Sequence, residues 1–349
     1  MSDSASGHDG VISSALTRDA GIRVPILCGA MYPCSNPELV GAVSAAGALG
    51  IVQPVTLTYV HGRDFREGIR AVRAITGDAP IGMNALIESS SRVYHQRMVR
   101  WVEIAVEEGI RFFVTSLGNP RWVVDLVSPS GGVVYHDVTE AKWARKAADA
   151  GVKGLIAVNA RAGGHAGQRS AEALLDELAP FELPLVCAGG VGTAHDFAVA
   201  IAMGYAGVQM GTRFIATTEC DAHAQYKQAI VDAAEEDIVM TERLTGVPIA
   251  VIRTPLVERI GTRIGPISRW LFRGRRTRKL MRTWYGVRSL ASLRLSLHGG
   301  DASRGYWQAG RSVSGISSIM SARDVVIDFE RLAVEALQFI PPPHAETVS

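Results

Sequence analysis

The chain has 349 residues, of which 47% are hydrophobic and 20% charged, with a formal net charge of +2 and four cysteines. This composition excludes a disordered chain, which combines low hydrophobicity with high net charge. It also excludes a disulfide-stapled scaffold and nucleic-acid binding by global charge. The length suits two average domains or one α/β barrel with insertions.

In chain order, the opening MSDSASGHDG has neither the basic nor the apolar segment of a signal peptide. No run of 18 apolar residues follows, so no membrane span is expected and the protein is read as cytoplasmic. Cys28, Cys34, Cys187 and Cys220 show no metal-ligand spacing. They are read as free thiols with no metal site, although Cys28 and Cys187, each at a strand end, could line a pocket. Short apolar runs at 24–29, 48–53, 81–85, 111–116, 133–136, 154–158, 185–188 and 207–210 read as strands buried on both faces. Helical patterns at 37–46, 92–108, 141–150, 171–178 and 194–203 lie between them, several stopping at a glycine. Eight such alternations predict the α/β class, a closed (β/α)8 TIM barrel, with a doubly wound open sheet as the alternative.

After the eighth strand the pattern changes. Residues 217–300 read as a helical subdomain inserted there, and 263–294 hold ten Lys/Arg with no Asp or Glu. The expected division is therefore a barrel over 1–216, a helical subdomain over 217–300, and a C-terminal loop and helix over 301–349 packing back on the barrel. The basic stretch 271–297 reads mainly as a solvated helix face. Contact with a membrane surface is its minor reading, and no nucleic-acid motif accompanies it.

Two glycine-containing turns end the seventh and eighth strands: Gly189-Gly190-Val191-Gly192, and Gly211-Thr212 after Gln209-Met210. Glycines let backbone N–H groups approach a phosphate, and a helix N-terminus behind them adds positive potential. Barrel enzymes commonly build a phosphate site from these two loops. After the sixth strand, Ala162-Gly163-Gly164-His165-Ala166-Gly167-Gln168 frames one imidazole with glycines. Histidine moves protons near neutral pH, so His165 is the candidate catalytic residue. Tyr32, Ser116, Asn119 and His136 lie near strand C-termini and are the candidate substrate-pocket residues.

These motifs resemble, in order, those of the nitronate monooxygenases, formerly 2-nitropropane dioxygenases. The likeness runs over residues 20–220 through 24–31, Asn36-Pro37-Glu38-Leu39, Gly82-Met83-Asn84, 162–167, Ala188-Gly189-Gly190 and 210–214. The resemblance implies a barrel that binds FMN. Gly29, Ala30 and Met31 would lie by the flavin ring, and Asn84 at the ring or ribityl chain. Gly164, Gln168, Gln209 and Met210 would line the cofactor, while Gly189, Gly190, Gly211 and Thr212 hold its phosphate. It further implies oxidation of alkyl nitronates or nitroalkanes in one-electron steps with O2, His165 positioning the anion or removing an α-proton. Asn159 and Arg161 stand where many members carry an acidic residue, and Asp137 stands where some carry lysine, so the charge of the pocket differs. The alternatives are an NAD(P)H-dependent FMN reductase of quinones or enoyl thioesters, and a non-catalytic flavin- or partner-binding protein.

Overall fold

The computed structural model describes residues 12–88, 91–263 and 305–337. Eight parallel strands run in sequence order: β1 (Ile26–Cys28), β2 (Leu49–Val52), β3 (Ile81–Ile87), β4 (Phe112–Leu117), β5 (Val133–Val138), β6 (Gly154–Val158), β7 (Leu185–Ala188) and β8 (Gly207–Met210). Pairing of Leu27 with Gln209 between β1 and β8 closes the barrel, which rules out the open sheet. The intervening helices are α2 (Pro37–Ala45), α3 (Phe65–Thr76), α4 (Arg92–Glu107), α5 (Arg121–Val127), α6 (Ala141–Asp149), α7 (Ala171–Leu178) and α8 (Ala194–Met203). A preceding helix, α1 (Ala15–Ala20), starts with a reciprocal Ser14–Thr17 capping box and stops at left-handed Gly21.

Alternation along the strands sorts side chains into two clusters. Leu27, Leu49, Ile51, Phe112, Val114, Tyr135, Ile156, Val158, Val186 and Ala188 fill the barrel interior. Leu16 and Ala20 of α1 belong to the same cluster, and a Cβ on Gly207 would lie 2.4 Å from Leu16 Cδ2, so α1 plugs the N-terminal end. The Tyr135 hydroxyl donates to Asp19 Oδ2 at 2.9 Å and ties this plug to β5. Ile26, Cys28, Met83, Phe113, Val134, Leu155, Cys187, Val208 and Met210 face outward and pack under the helices. With its base closed, the barrel is left open at the C-terminal ends of its strands.

Beyond β8 come α9 (Thr212–Ile215) and α10 (Ala224–Asp232), then a two-stranded antiparallel hairpin, β9 (Ile238–Thr241) and β10 (Ile249–Ile252). This corrects the all-helical expectation for 217–300. Thr245-Gly246-Val247-Pro248 interrupts a helix, and the largely β-branched run Ile249-Ala250-Val251-Ile252 is buried throughout as a strand. The helix α11 (Pro255–Ile260) follows. The basic stretch 271–297, and with it the membrane-surface reading, lies outside the described residues. In the C-terminal part, 311–315 is a 3₁₀ turn and the helix proper, α12, is Ala322–Leu337. It packs on α8 through Phe197 and Phe329, whose rings stack 6.3 Å apart, and Arg23 pairs with Glu330. Buried Arg213 joins α9 to the segment before α12 by donating to the carbonyls of Ala216 (2.6 Å) and Ser318 (2.7 Å).

No described helix is long and apolar enough to cross a membrane. The tightest helix-to-strand contact is at Gly50, where a Cβ would lie 2.1 Å from the Val40 carbonyl oxygen of α2. Backbone cannot swing aside as a side chain can. Gly50→Ala is therefore expected to destabilise the fold by at least the ~1–3 kcal/mol typical of overpacking, read as a lower denaturation midpoint.

Candidate active site at the barrel mouth

The inward alternation carries polar groups to the open end. Gln209 pairs with interior Leu27, and a Cβ on Gly29 would lie 3.1 Å from Gln209 Cγ. Asn84 follows Gly82 by two positions, and a Cβ there would meet Ile51 and Leu49 inside the barrel. Ser116 follows interior Val114 by two, and Asp137 follows interior Tyr135 by two. One strand position thus separates Asp137, which faces the mouth, from His136, which faces outward.

His136 is 3% exposed, its Nδ1 lies 2.8 Å from Thr115 Oγ1, and burial pushes its pKa down to about 4. It is a neutral packing group, and its expected pocket role is corrected on that ground. Cys28 and Cys187 also face outward, and burial raises the pKa of both thiols, that of Cys187 to about 12. Neither lines the mouth. Asn119 is exposed and uses Oδ1 to accept from Arg121 N–H at 2.9 Å, opening α5. Tyr32 packs against Leu244, Ile249, Val251, Val257 and Tyr306 at the hairpin. The Met210 side chain lies in the outer layer, and its carbonyl accepts from Gly29 N–H at 3.0 Å.

The two glycine turns meet the loop that follows β6. Gly189 and Gly190 have φ of +114° and +84°, in the left-handed range that favours glycine. A Cβ on Gly189 would lie 2.4 Å from Asn159 Oδ1, and one on Gly190 would lie 2.8 Å from Arg161 Nε. The N–H groups of Gly192 and Thr193 already donate to Asp196, so the α8 N-terminus caps itself. Those of Gly190, Gly211 and Thr212 have no protein acceptor among the described residues. Met31 lies over Gly211, where a Cβ would be 3.3 Å from its sulfur. The Thr212 hydroxyl accepts from Gly310 N–H at 2.9 Å and keeps its own proton to donate.

Asn159 joins these loops. It is 1% exposed. Nδ2 donates to the Gly189 carbonyl at 2.9 Å, and Oδ1 accepts from Arg161 N–H at 2.8 Å. Its backbone N–H donates to Ala188 O, and its carbonyl accepts from Gly167 N–H. An ionised carboxylate could accept but not donate here, so asparagine suits both loops where an acid would not.

The glycine–histidine loop is pinned from its other side. Gly164 exchanges backbone hydrogen bonds with Ala250 of β10 at 2.7 and 3.3 Å. A Cβ on Gly163 would collide with Gly310 N at 2.9 Å. His165 follows this anchor as an exposed residue at the mouth, and desolvation by the surrounding protein lowers the pKa of its imidazole. Its imidazole is neutral at pH 7 and able to take a proton. Gln168, at the end of the loop, is exposed. Arg161 turns to Glu235, its Nη1 and Nη2 donating at 3.0 and 2.8 Å.

Asp137 was set apart in the sequence as a change of charge, not as a site residue. Burial raises its pKa from 3.8 to about 7, and a hydrogen bond from Gln209 offsets part of the rise. Asp137 Oδ1 and Gln209 Oε1 are enclosed without partners among the described residues. No cluster of described His, Cys, Asp and Glu could hold a metal ion.

A barrel with a polar mouth, glycine turns after β7 and β8 and an exposed histidine after β6 is the architecture of an oxidoreductase that works through a bound flavin. The sequence model of the nitronate monooxygenase family matches residues 13–331, and the chain belongs to that family. It is similar to the (3aS,4S,5R,7aS)-5-hydroxy-7a-methyl-1-oxo-octahydro-1H-indene-4-carboxyl-CoA dehydrogenase of Mycobacterium tuberculosis, with 31% identity over 253 residues, 71% of this chain and 68% of the relative. It is similar to the nitronate monooxygenase of Pseudomonas aeruginosa, with 26% identity over 278 residues, 67% and 78% of the two chains. Among solved structures it is similar to FabK from Thermotoga maritima, with a TM-score of 0.76 and 29% identity, covering 94% and 99% of the two chains.

Two stability tests follow. Asn159→Ala strands the Gly189 carbonyl and the Arg161 N–H, each worth about 1–3 kcal/mol when buried unpaired, so a large drop in melting temperature is expected. For Asp137 the folded pKa lies above the unfolded one, so its ionisation erodes stability as pH rises from about 4 to about 7. Asp137→Asn is expected to raise the melting temperature at about pH 8 and to change it little at about pH 4. An equal effect at both would contradict this assignment.

Proposed function

We propose that the chain binds FMN at the barrel mouth and oxidises nitroalkanes or alkyl nitronates with O2. The observation that carries this reading is His165, exposed and neutral on a loop fixed by backbone pairing to β10. The mouth fits the cofactor. Gly189 and Gly190 sit against Asn159 and Arg161 with no room for a Cβ, which keeps the turn close-packed, and the N–H groups of Gly190, Gly211 and Thr212 are available to a phosphate. Gly29, Ala30 and Met31 would border the flavin ring. Asn84, Gln168 and the free Gln209 Oε1 supply polar contacts, and Gly164 lets the loop approach. When bound, FMN supplies the redox chemistry, taking electrons from the substrate and passing them to O2. The chain supplies the proton chemistry: a ring nitrogen of neutral His165 accepts the α-proton of a nitroalkane. Ser116 borders the substrate side. The four cysteines are free and buried, which suits a reducing cytoplasm.

A second reading is favoured by the relative from Mycobacterium tuberculosis, whose name specifies a CoA thioester. In that reading the same mouth exchanges hydride between a nicotinamide cofactor and a thioester substrate. Anaerobic mixing separates the two. Bleaching of the flavin band near about 450 nm by nitroethane or ethyl nitronate, with no response to NADH or NADPH, supports the first. Bleaching by nicotinamide alone supports the second. His165→Asn is expected to keep FMN bound and to slow nitroethane oxidation by about 10²–10⁴-fold, the usual contribution of a general base. Ethyl nitronate, already deprotonated, should be affected much less.

A further inference from the structure

We propose that Asp137 determines the charge of the substrate, so that the mouth selects a neutral molecule, such as a nitroalkane or a carbonyl compound, over a free anion such as a nitronate. This rests on the mouth being the substrate site and narrows what enters it.

Asp137 is the inward carboxyl on β5, two positions above Tyr135. Around it, β4 presents Ser116, β6 presents Ile156 as its register partner and Val158 above, and β8 presents Gln209. Below it, the Tyr135 hydroxyl is held by Asp19. On β3, Asn84 carries no charge. Among the described residues only desolvation and Gln209 move its pKa, and no described cation acts on it. Two described arginines beside the strand C-termini are committed elsewhere. Arg161 pairs with Glu235, and Arg213 turns to the Ala216 and Ser318 carbonyls. The neighbouring imidazole, His165, has a lowered pKa and brings no charge at pH 7.

An anion entering this mouth therefore meets a carboxylate that no described cation compensates. Two enclosed acceptors, Asp137 Oδ1 and Gln209 Oε1, wait there without donors. A neutral substrate avoids the repulsion, and a proton on Asp137 removes it and supplies a donor. With a pKa of about 7, that proton is present in half the molecules near neutral pH. A neutral nitroalkane enters either form and loses its proton to His165 after binding. An anionic nitronate enters the protonated form.

The probes are propionate and its neutral isostere propionamide, titrated calorimetrically into the purified protein, so that the result needs no turnover. At about pH 8.5, above the midpoint of the carboxyl, propionamide is expected to bind at least about tenfold more tightly, the equivalent of a modest charge repulsion. The gap should shrink at about pH 6, and Asp137→Asn should abolish it at both. Should Asp137→Asn fail to fold, the same pH comparison in His165→Asn, which has no titrating imidazole at the mouth, decides. Propionate binding as tightly as propionamide at the higher pH would overturn the proposal, as would a gap that survives in Asp137→Asn. Steady-state rates are read in parallel. If neither nitroethane nor ethyl nitronate is oxidised while the propionamide preference holds, the nitroalkane reading fails and the charge selection stands.

Discussion

The mouth of this barrel depends on one buried amide. Asn159 donates to the Gly189 carbonyl and accepts from Arg161 N–H, while its backbone bonds to Ala188 and Gly167. These bonds hold the turn after β7 in its left-handed conformation and close the loop after β6 on itself. They connect the glycine turn after β7 to the loop that carries His165. Side chain and backbone together fix both loops, and in the one after β7 the φ angles at Gly189 and Gly190 disfavour other residue types.

A second layer fixes the same loops from outside. The β9–β10 hairpin pairs with Gly164, and the 308–311 segment packs against 161–163 so closely that Gly163 and Gly310 leave no room for side chains. Elements far along the chain thus buttress the barrel's active end, while α1 closes its inactive end. The proposed proton transfer at His165 would draw its precision from this bracing, because a catalytic group on an unbraced loop is poorly positioned. Within the braced mouth the electrostatics are sparse. The α8 N-terminus is capped by Asp196, and Arg161 is paired with Glu235. Asp137 is left as an inward carboxyl that no described cation balances.

The barrel was legible in the sequence because its strands are short apolar runs between glycine-stopped helices. Three of them, β6, β7 and β8, match their expected bounds, as do the helices α7 and α8. The glycine turns were legible because their composition carries a conformational meaning. The facing of β5 was not. Strands buried on both sides show no alternation of polar and apolar residues, so nothing marked Asp137 as inward and His136 as outward. The expected strand also ended at 136, two residues short of Val138, which left Asp137 in a loop. The hairpin was missed because a four-residue apolar run is ambiguous between helix and strand, although Gly246 and Pro248 were the signal that could have resolved it. The partners of Asn159 lie up to 30 residues away in the chain, and no local pattern encodes them.

In the proposed site the glycine turns after β7 and β8 act as a phosphate cradle. The most direct measurement compares the affinity of the flavin-stripped protein for FMN and for riboflavin, which lacks the phosphate. Two or three charge-assisted hydrogen bonds predict that FMN binds at least about a hundredfold more tightly. Equal affinities for the two flavins would contradict the account and would leave the turns as no more than strand-to-helix connections.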